Sequence, residues 1–158
     1  MISFDRLTVK AGEALQGAIA LAAERGNPAV EDVHLLSALL DQEGGVVGSI
    51  LGRVGVRSEE SHRRVSEALG RLPRQAGGSG VQPSRQLTQV LDVADKEARE
   101  MGDQFISSEH LVMALASDKA STTGPLLREL GATRDTLKQA IGAMRGPHRH
   151  PGRVSSPV

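Results

Sequence analysis

The amino-acid sequence predicts an all-α protein made of two tandem pseudo-repeats of four helices each, packed into one domain. Three observations carry this: internal repetition, helical spacing of the apolar residues, and a near absence of aromatic side chains. One constant shift along the chain carries His34-Leu35 onto His110-Leu111. Without a gap it also carries Leu15 onto Leu91, Ala18 onto Ala94, Gly26 onto Gly102, Leu51 onto Leu127 and Gly55 onto Gly131. A chance echo does not hold register over so many positions, so the chain reads as a tandem duplication. Within the first copy Ala11, Ala14, Leu15, Ala18, Leu21 and Ala22 recur at the three- and four-residue spacing of an amphipathic helix. Phe4 and Phe105 are the only aromatic residues. The core must therefore be built from Leu, Val, Ile and Ala, whereas sheets usually draw on aromatic and β-branched residues.

The first copy, about residues 5–71, opens at Thr8, whose hydroxyl suits an N-cap. Its first helix ends where Arg25 meets Gly26, a residue that tolerates a left-handed stop. The second helix is expected near Val33 to Leu40, ending at Glu43-Gly44-Gly45, and a short third covers Val47 to Val54 before Gly55. Ser58 is expected to cap a fourth helix reaching Leu69, with Glu59 and Glu60 in the first turn, where the helix dipole favours negative charge. The second copy, about residues 84–145, repeats the order. Ser84 caps a helix to Met101, Ser107 or Ser108 starts the next, Pro125 sits in the first turn of the third, and Thr133 caps the last, to Met144. Between the copies, Leu72 to Pro83 (LPRQAGGSGVQP) reads as a flexible connector. After Arg145 the residues 146–158 carry three prolines and little apolar content, too little to bury, and are expected to be disordered.

Composition excludes several classes. Nineteen basic residues balance 19 acidic ones, which argues against nucleic acid as partner, since that leaves an electrostatic footprint. The chain has no cysteine, so disulfides and thiolate metal sites are impossible and a reducing cytoplasm fits. No apolar run approaches the roughly 20 residues that span a bilayer, and no membrane partner is expected. There is no GxxxxGK[ST] phosphate loop, and Gly77-Gly78-Ser79-Gly80 lacks the lysine and the strand such a loop needs. No cofactor, metal or catalytic residue is assigned.

The remaining motifs read more simply as structure. His34 and His110 hold equivalent repeat positions, which points to a shared packing role. His148 and His150 offer two ligands, too few for a defended metal site. Ser107-Ser108-Glu109-His110 resembles a nucleophile beside a base, but neighbours at a helix start point in different directions, and a cap explains the serines better. A small hydrolase using Glu109 and His110 is the weaker reading. The charged residues Asp95, Lys96, Glu97, Arg99 and Glu100 read as a largely solvated helix face.

The duplicated unit, with GDQFISSEHLVMAL at Gly102 to Leu115, HLLSALLDQEGG at His34 to Gly45 and VQPSRQL at Val81 to Leu87, resembles the Clp N-terminal (repeat) domain, in the version carried by ClpB-type disaggregases. The resemblance covers about Phe4 to Arg145. It implies a non-catalytic chaperone domain that binds unfolded or aggregated polypeptide and passes it to the AAA+ modules of a hexameric ATP-driven ring. The isolated domain is then expected to be a monomer. The resemblance further implies a polar client-binding cluster at Thr8, Asp103 and Glu109 beside an apolar groove. Val93 keeps the apolar character of that groove, while Glu97 and His110 stand where close relatives are expected to be apolar. Neither carboxylate is expected in the core, so replacing both by Ala should weaken client binding and leave the fold intact. The alternative is the adaptor-binding N domain of a Clp protease unfoldase.

Overall fold

The caps and spacings read above set where the chain turns, and the computed structural model describes the result for residues 4–75, 80–119 and 121–146. A short 3-10 turn (Phe4–Arg6) leads into α1 (Val9–Glu24), strand β1 (Ala29–Val30), α2 (Asp32–Asp41), α3 (Val47–Arg53) and α4 (Ser58–Gly70). The second copy supplies β2 (Gln82–Pro83), α5 (Arg85–Glu100), α6 (Ser108–Ser117), α7 (Thr123–Glu129) and α8 (Arg134–Arg145). The repeat shift carries both ends of α1, α2 and α3 onto both ends of α5, α6 and α7, and the start of α4 onto the start of α8. The fold is all-α with two four-helix repeats.

Thr8, Ser84 and Thr133 cap α1, α5 and α8 through their side-chain oxygens, which accept from Ala11, Leu87 and Thr136 backbone N–H groups. Ser58 does not cap α4. Arg57 holds the extended cap conformation, and the Ser58 hydroxyl, already inside the helix, faces His62.

The copies are interlocked as well as stacked. The segment before each first helix pairs with the turn after the first helix of the other copy. Val30 pairs with Pro83 in a parallel ladder, and Leu7 bridges Ile106 in the same sense. Correspondingly, Ser84 N–H donates to Val30 C=O and Thr8 N–H to Ile106 C=O, each at 2.9 Å. The connector is therefore less free than its composition suggests. Asn27 Nδ2 donates to Pro73 C=O at 2.9 Å, Gln75 N–H to Gly26 C=O at 2.8 Å, and Val81 packs on the core. Residues 76–79 lie outside the described residues, as do 147–158 with His148 and His150.

The two second helices form the centre. In α6 every residue from His110 to Ala116 is buried, and α6 contacts α1, α2, α3, α5, α7 and α8. A helix apolar all round has no solvent face to offer and must be enclosed. One buried carboxylate ties the copies directly. Asp32, at the start of α2 and 1% exposed, accepts the backbone N–H of Thr123 at 2.7 Å. Thr122 gives α7 no side-chain cap, so a repeat-one side chain caps a repeat-two helix. Asp32→Ala should cost about 2 kcal/mol in chemical denaturation, because it orphans a buried donor. Asp32→Asn keeps an acceptor and should lose less; equal losses for the two variants would contradict this assignment.

Candidate functional site

Both copies build the same junction between their first two helices. Gly26 and Gly102 take φ of 72° and 73°, the left-handed conformation that glycine enters without steric cost. The next residue then turns back: Asn27 N–H donates to Ala22 C=O at 2.9 Å and Asp103 N–H to Ala98 C=O at 2.8 Å. Each of these side chains meets a buried histidine. His34 Nε2 lies 2.8 Å from Asn27 Oδ1, and His110 Nε2 lies 2.7 Å from Asp103 Oδ2. The opposite ring atom, Nδ1, accepts the cap residue's backbone N–H, from Glu31 and from Ser107, at 2.8 Å in both copies. An Nδ1 that accepts leaves the proton on Nε2, so each ring donates to its Asn or Asp. The histidines thus play the part of the Glu or Gln of a capping box, the shared packing role expected of them.

This geometry also disposes of a tempting triad. Ser107 Oγ lies 3.1 Å from His110 Nδ1, and Asp103 holds the far side of the ring. The Nδ1 lone pair is, however, aimed at the Ser107 backbone N–H, and the imidazole is 1% exposed. A base must take the nucleophile's proton; here the acceptor is occupied by a cap. Burial lowers the pKa of His110, opposed by the hydrogen bond and charge of Asp103, so the ring is neutral near pH 7.

Repeat two then adds what repeat one lacks. Arg145, the last residue of α8, reaches back across the junction. Its Nη2 lies 2.8 Å from Asp103 Oδ2 and 2.5 Å from Glu109 Oε1, with Nε 3.1 Å from the same Glu109 oxygen. Burial of Arg145 works against its charge, but its hydrogen bonds to Asp103 and Glu109 outweigh that and raise its pKa. The equivalents of Asp103, Glu109 and Arg145 in repeat one are Asn27, Val33 and Leu69. The same junction closes there without those three charges, although Glu31, at the position of Ser107, caps the helix and Arg25 lies near His34.

The structure brings Asp103, Glu109 and His110 into one cluster around Arg145 and sets Thr8 beside them through its backbone bond to Ile106. Thr8's hydroxyl is committed to capping α1. Val93 is half-buried against the core on α5. Glu97, one turn further on, is not solvated: it is 5% exposed and takes two 2.8 Å hydrogen bonds from Arg134. Those bonds, ahead of the opposing effect of burial, hold its pKa below the usual carboxylate range. Asp95 is likewise engaged, by Arg6 at 2.5 Å.

The expectation that both carboxylates could be cut to Ala without structural effect needs correcting. Asp103 is a half-buried acceptor for a buried imidazole, so Ala there would orphan His110, and Ala at both positions would also strip Arg145 of its carboxylates. Asn, as at position 27, would not.

An apolar groove of about 200 Å³ lies between α1 and α5, lined by Phe4, Leu15, Ile19, Pro83, Leu87 and Leu91 among others. Phe4 and Phe105 are both exposed and are carried on the two segments that the Leu7–Ile106 bridge joins. Among the described residues no group of three or more His, Cys, Asp or Glu side chains could hold a metal ion, and no helix is long and apolar enough to cross a membrane.

The fold and the junctions define a duplicated helical domain. The Clp repeat (R) N-terminal domain profile matches residues 6–130, and the chain belongs to that family. It is 41% identical over 143 residues to the chaperone protein ClpB of Pseudomonas putida, covering 90% of this chain and 17% of that protein. Against ClpB of Propionibacterium freudenreichii subsp. shermanii it is 37% identical over 147 residues, covering 92% and 17%. The crystal structure of the Hsp104 N-terminal domain from Candida albicans superposes with a TM-score of 0.79 at 25% identity, covering 94% of this chain and 97% of that one. The chain thus spans about a sixth of the length of those curated relatives.

Proposed function

We propose that this domain binds unfolded stretches of client polypeptide for a cytoplasmic ClpB-type disaggregase and delivers them to its AAA+ ring. The client surface centres on Asp103 and Glu109; Thr8 and Val93 are assigned to it with them, and the buried His110 acts by holding Asp103 in place. One observation carries the reading: a junction that repeat one closes with Asn27, Val33 and Leu69 holds two carboxylates and an arginine in repeat two. Repeat one makes the same turn without these three charges, so the turn alone does not require them, which supports a role in binding. Carboxylates beside the exposed Phe105 suit a segment that mixes basic and apolar side chains, as unfolded proteins do. Affinity must be weak, since a domain that passes its client onward cannot retain it.

The test is an NMR titration with an unfolded model protein. Asp103→Asn with Glu109→Gln removes both charges and keeps the acceptor for His110. The double variant should keep its helical circular dichroism and bind roughly tenfold more weakly, within the range for charge-assisted hydrogen bonds. Unchanged affinity with intact helicity would sink the site. A single stoichiometric adaptor captured in place of unfolded clients would favour the Clp protease reading.

A further inference from the structure

Resting on the client-site reading above, we propose that Arg145 is an internal stand-in for a client arginine. It occupies the Asp103–Glu109 pair when no client is present, a client guanidinium displaces it, and the last turn of α8 is released as a result.

The first argument is the form of the contact. The Arg145 guanidinium divides its donors between two carboxylates, Nε and Nη2 toward Glu109 and Nη1 and Nη2 toward Asp103, at 2.5 to 3.3 Å. A planar fork suits this arrangement, and the compact ammonium of lysine does not reproduce it. The three side chains are only 14%, 16% and 22% exposed, so the pair is partly desolvated and selective for a group that satisfies both acids.

The second argument is how little else holds the turn that carries Arg145. The buried residues of α8 are Leu137, Ala140 and Ile141. Beyond them Gly142, Ala143 and Met144 are exposed, and the helix closes with a 3.2 Å bond from Gly146 N–H to Gly142 C=O. In repeat one the corresponding turn is anchored by packing: Ala68 and Leu69 are 3% and 7% exposed. An apolar anchor has no soluble competitor, whereas an ion pair can be exchanged for a like ion pair. Turns with few buried contacts open at low cost. Client occupancy is thereby coupled to the chain that follows α8.

The third argument is competition. A tethered ligand acts at a high effective concentration, so a client sees only the fraction of domains in which Arg145 has left, and its apparent affinity falls by that fraction. Low client affinity is then built into the site.

The experiment uses the peptide acetyl-Gly-Gly-Arg-Gly-Gly-amide and its lysine twin, with binding followed by NMR. Arg145→Gln should bind the arginine peptide about tenfold more tightly, because the internal competitor is gone. Lys96→Gln removes the same charge from an exposed position on α5 and should change affinity less than about twofold, as a screened surface charge does. In the wild type the arginine peptide should accelerate amide exchange at 144–146. Arg145→Lys keeps the charge without the fork; it should fall between wild type and Arg145→Gln, and it serves if Arg145→Gln does not fold. If Asp103→Asn with Glu109→Gln loses the peptide while the Arg145 variants bind no tighter than wild type, the latch is wrong and the client site stands. If that double variant binds as well as wild type, the site itself is wrong and the latch falls with it. Equal binding of the lysine peptide would overturn the guanidinium preference.

Discussion

Gly124→Ala is expected to destabilise the domain by about 3 kcal/mol, at the upper end of the range for overpacking, while Gly48→Ala is neutral or stabilising. The two glycines hold equivalent repeat positions, and both lie in the first turn of a short third helix. A Cβ built on Gly124 would stand 1.8 Å from the Asp118 carbonyl oxygen and 2.9 Å from Arg128 Nη1. The arginine can swing aside, but the carbonyl is backbone and cannot without moving the turn before α7. That turn also holds the Ser121 hydroxyl that accepts Gly124 N–H at 3.1 Å, so the strain would spread to the helix start. At Gly48 a Cβ meets nothing within 4 Å, and replacing a helical glycine by alanine gains up to about 1 kcal/mol. For a domain of this size Gly124→Ala should lower the melting temperature by roughly 6–12 °C. Similar effects at both positions would show that the close approach at Gly124 is relieved by local movement.

Those glycines also mark the limit of what could be read from the chain. Helix starts were legible at Thr8, Ser84 and Thr133 because a cap is a local arrangement, written within a single helical turn. What escaped was every interaction whose partner is remote: Glu97 with Arg134, Asp103 and Glu109 with Arg145, and Asp32 with Thr123 lie 37, 42, 36 and 91 residues apart. Contacts of that span have no spacing to recognise. A signal was nevertheless present in the duplication itself. Glu97 stands where repeat one has Leu21, Glu109 where it has Val33, and Arg145 where it has Leu69. Leu21 belongs to the apolar stripe of its helix, so a carboxylate at its equivalent must find a cation rather than water. Comparing the copies for charge in place of apolar residues would have exposed Glu97 as paired and Arg145 as part of the site.

The duplicated histidines lead to the second large effect, a loss of stability in mild acid that His34→Gln relieves. Burial, assisted by the nearby charge of Arg25 and opposed by Asp32, lowers the His34 pKa from 6.5 to about 4. The unfolded chain therefore binds this proton near pH 6.5 and the folded one only near pH 4. Between those values the unfolded state holds more protons, so stability rises with pH. The His34 contribution is complete above about pH 6.5 and is lost as pH falls, by about 2 kcal/mol at pH 5 and about 3 kcal/mol at pH 4. Protonation is resisted for a structural reason: Nδ1 must accept the Glu31 N–H at 2.8 Å, and a proton there would turn an acceptor toward a donor. Glutamine at the same capping position can accept that N–H and donate to Asn27 without titrating. Urea denaturation of wild type and His34→Gln at pH 7.5 and pH 5 isolates the histidine, since the carboxylates are common to both proteins. The difference in stability should shift by about 2 kcal/mol in favour of the variant at the lower pH. His110→Gln should shift it less, because Asp103, unlike Asn27, carries a charge that favours the protonated ring. A pH-independent difference for His34→Gln would mean that the His34 junction opens to water before it titrates.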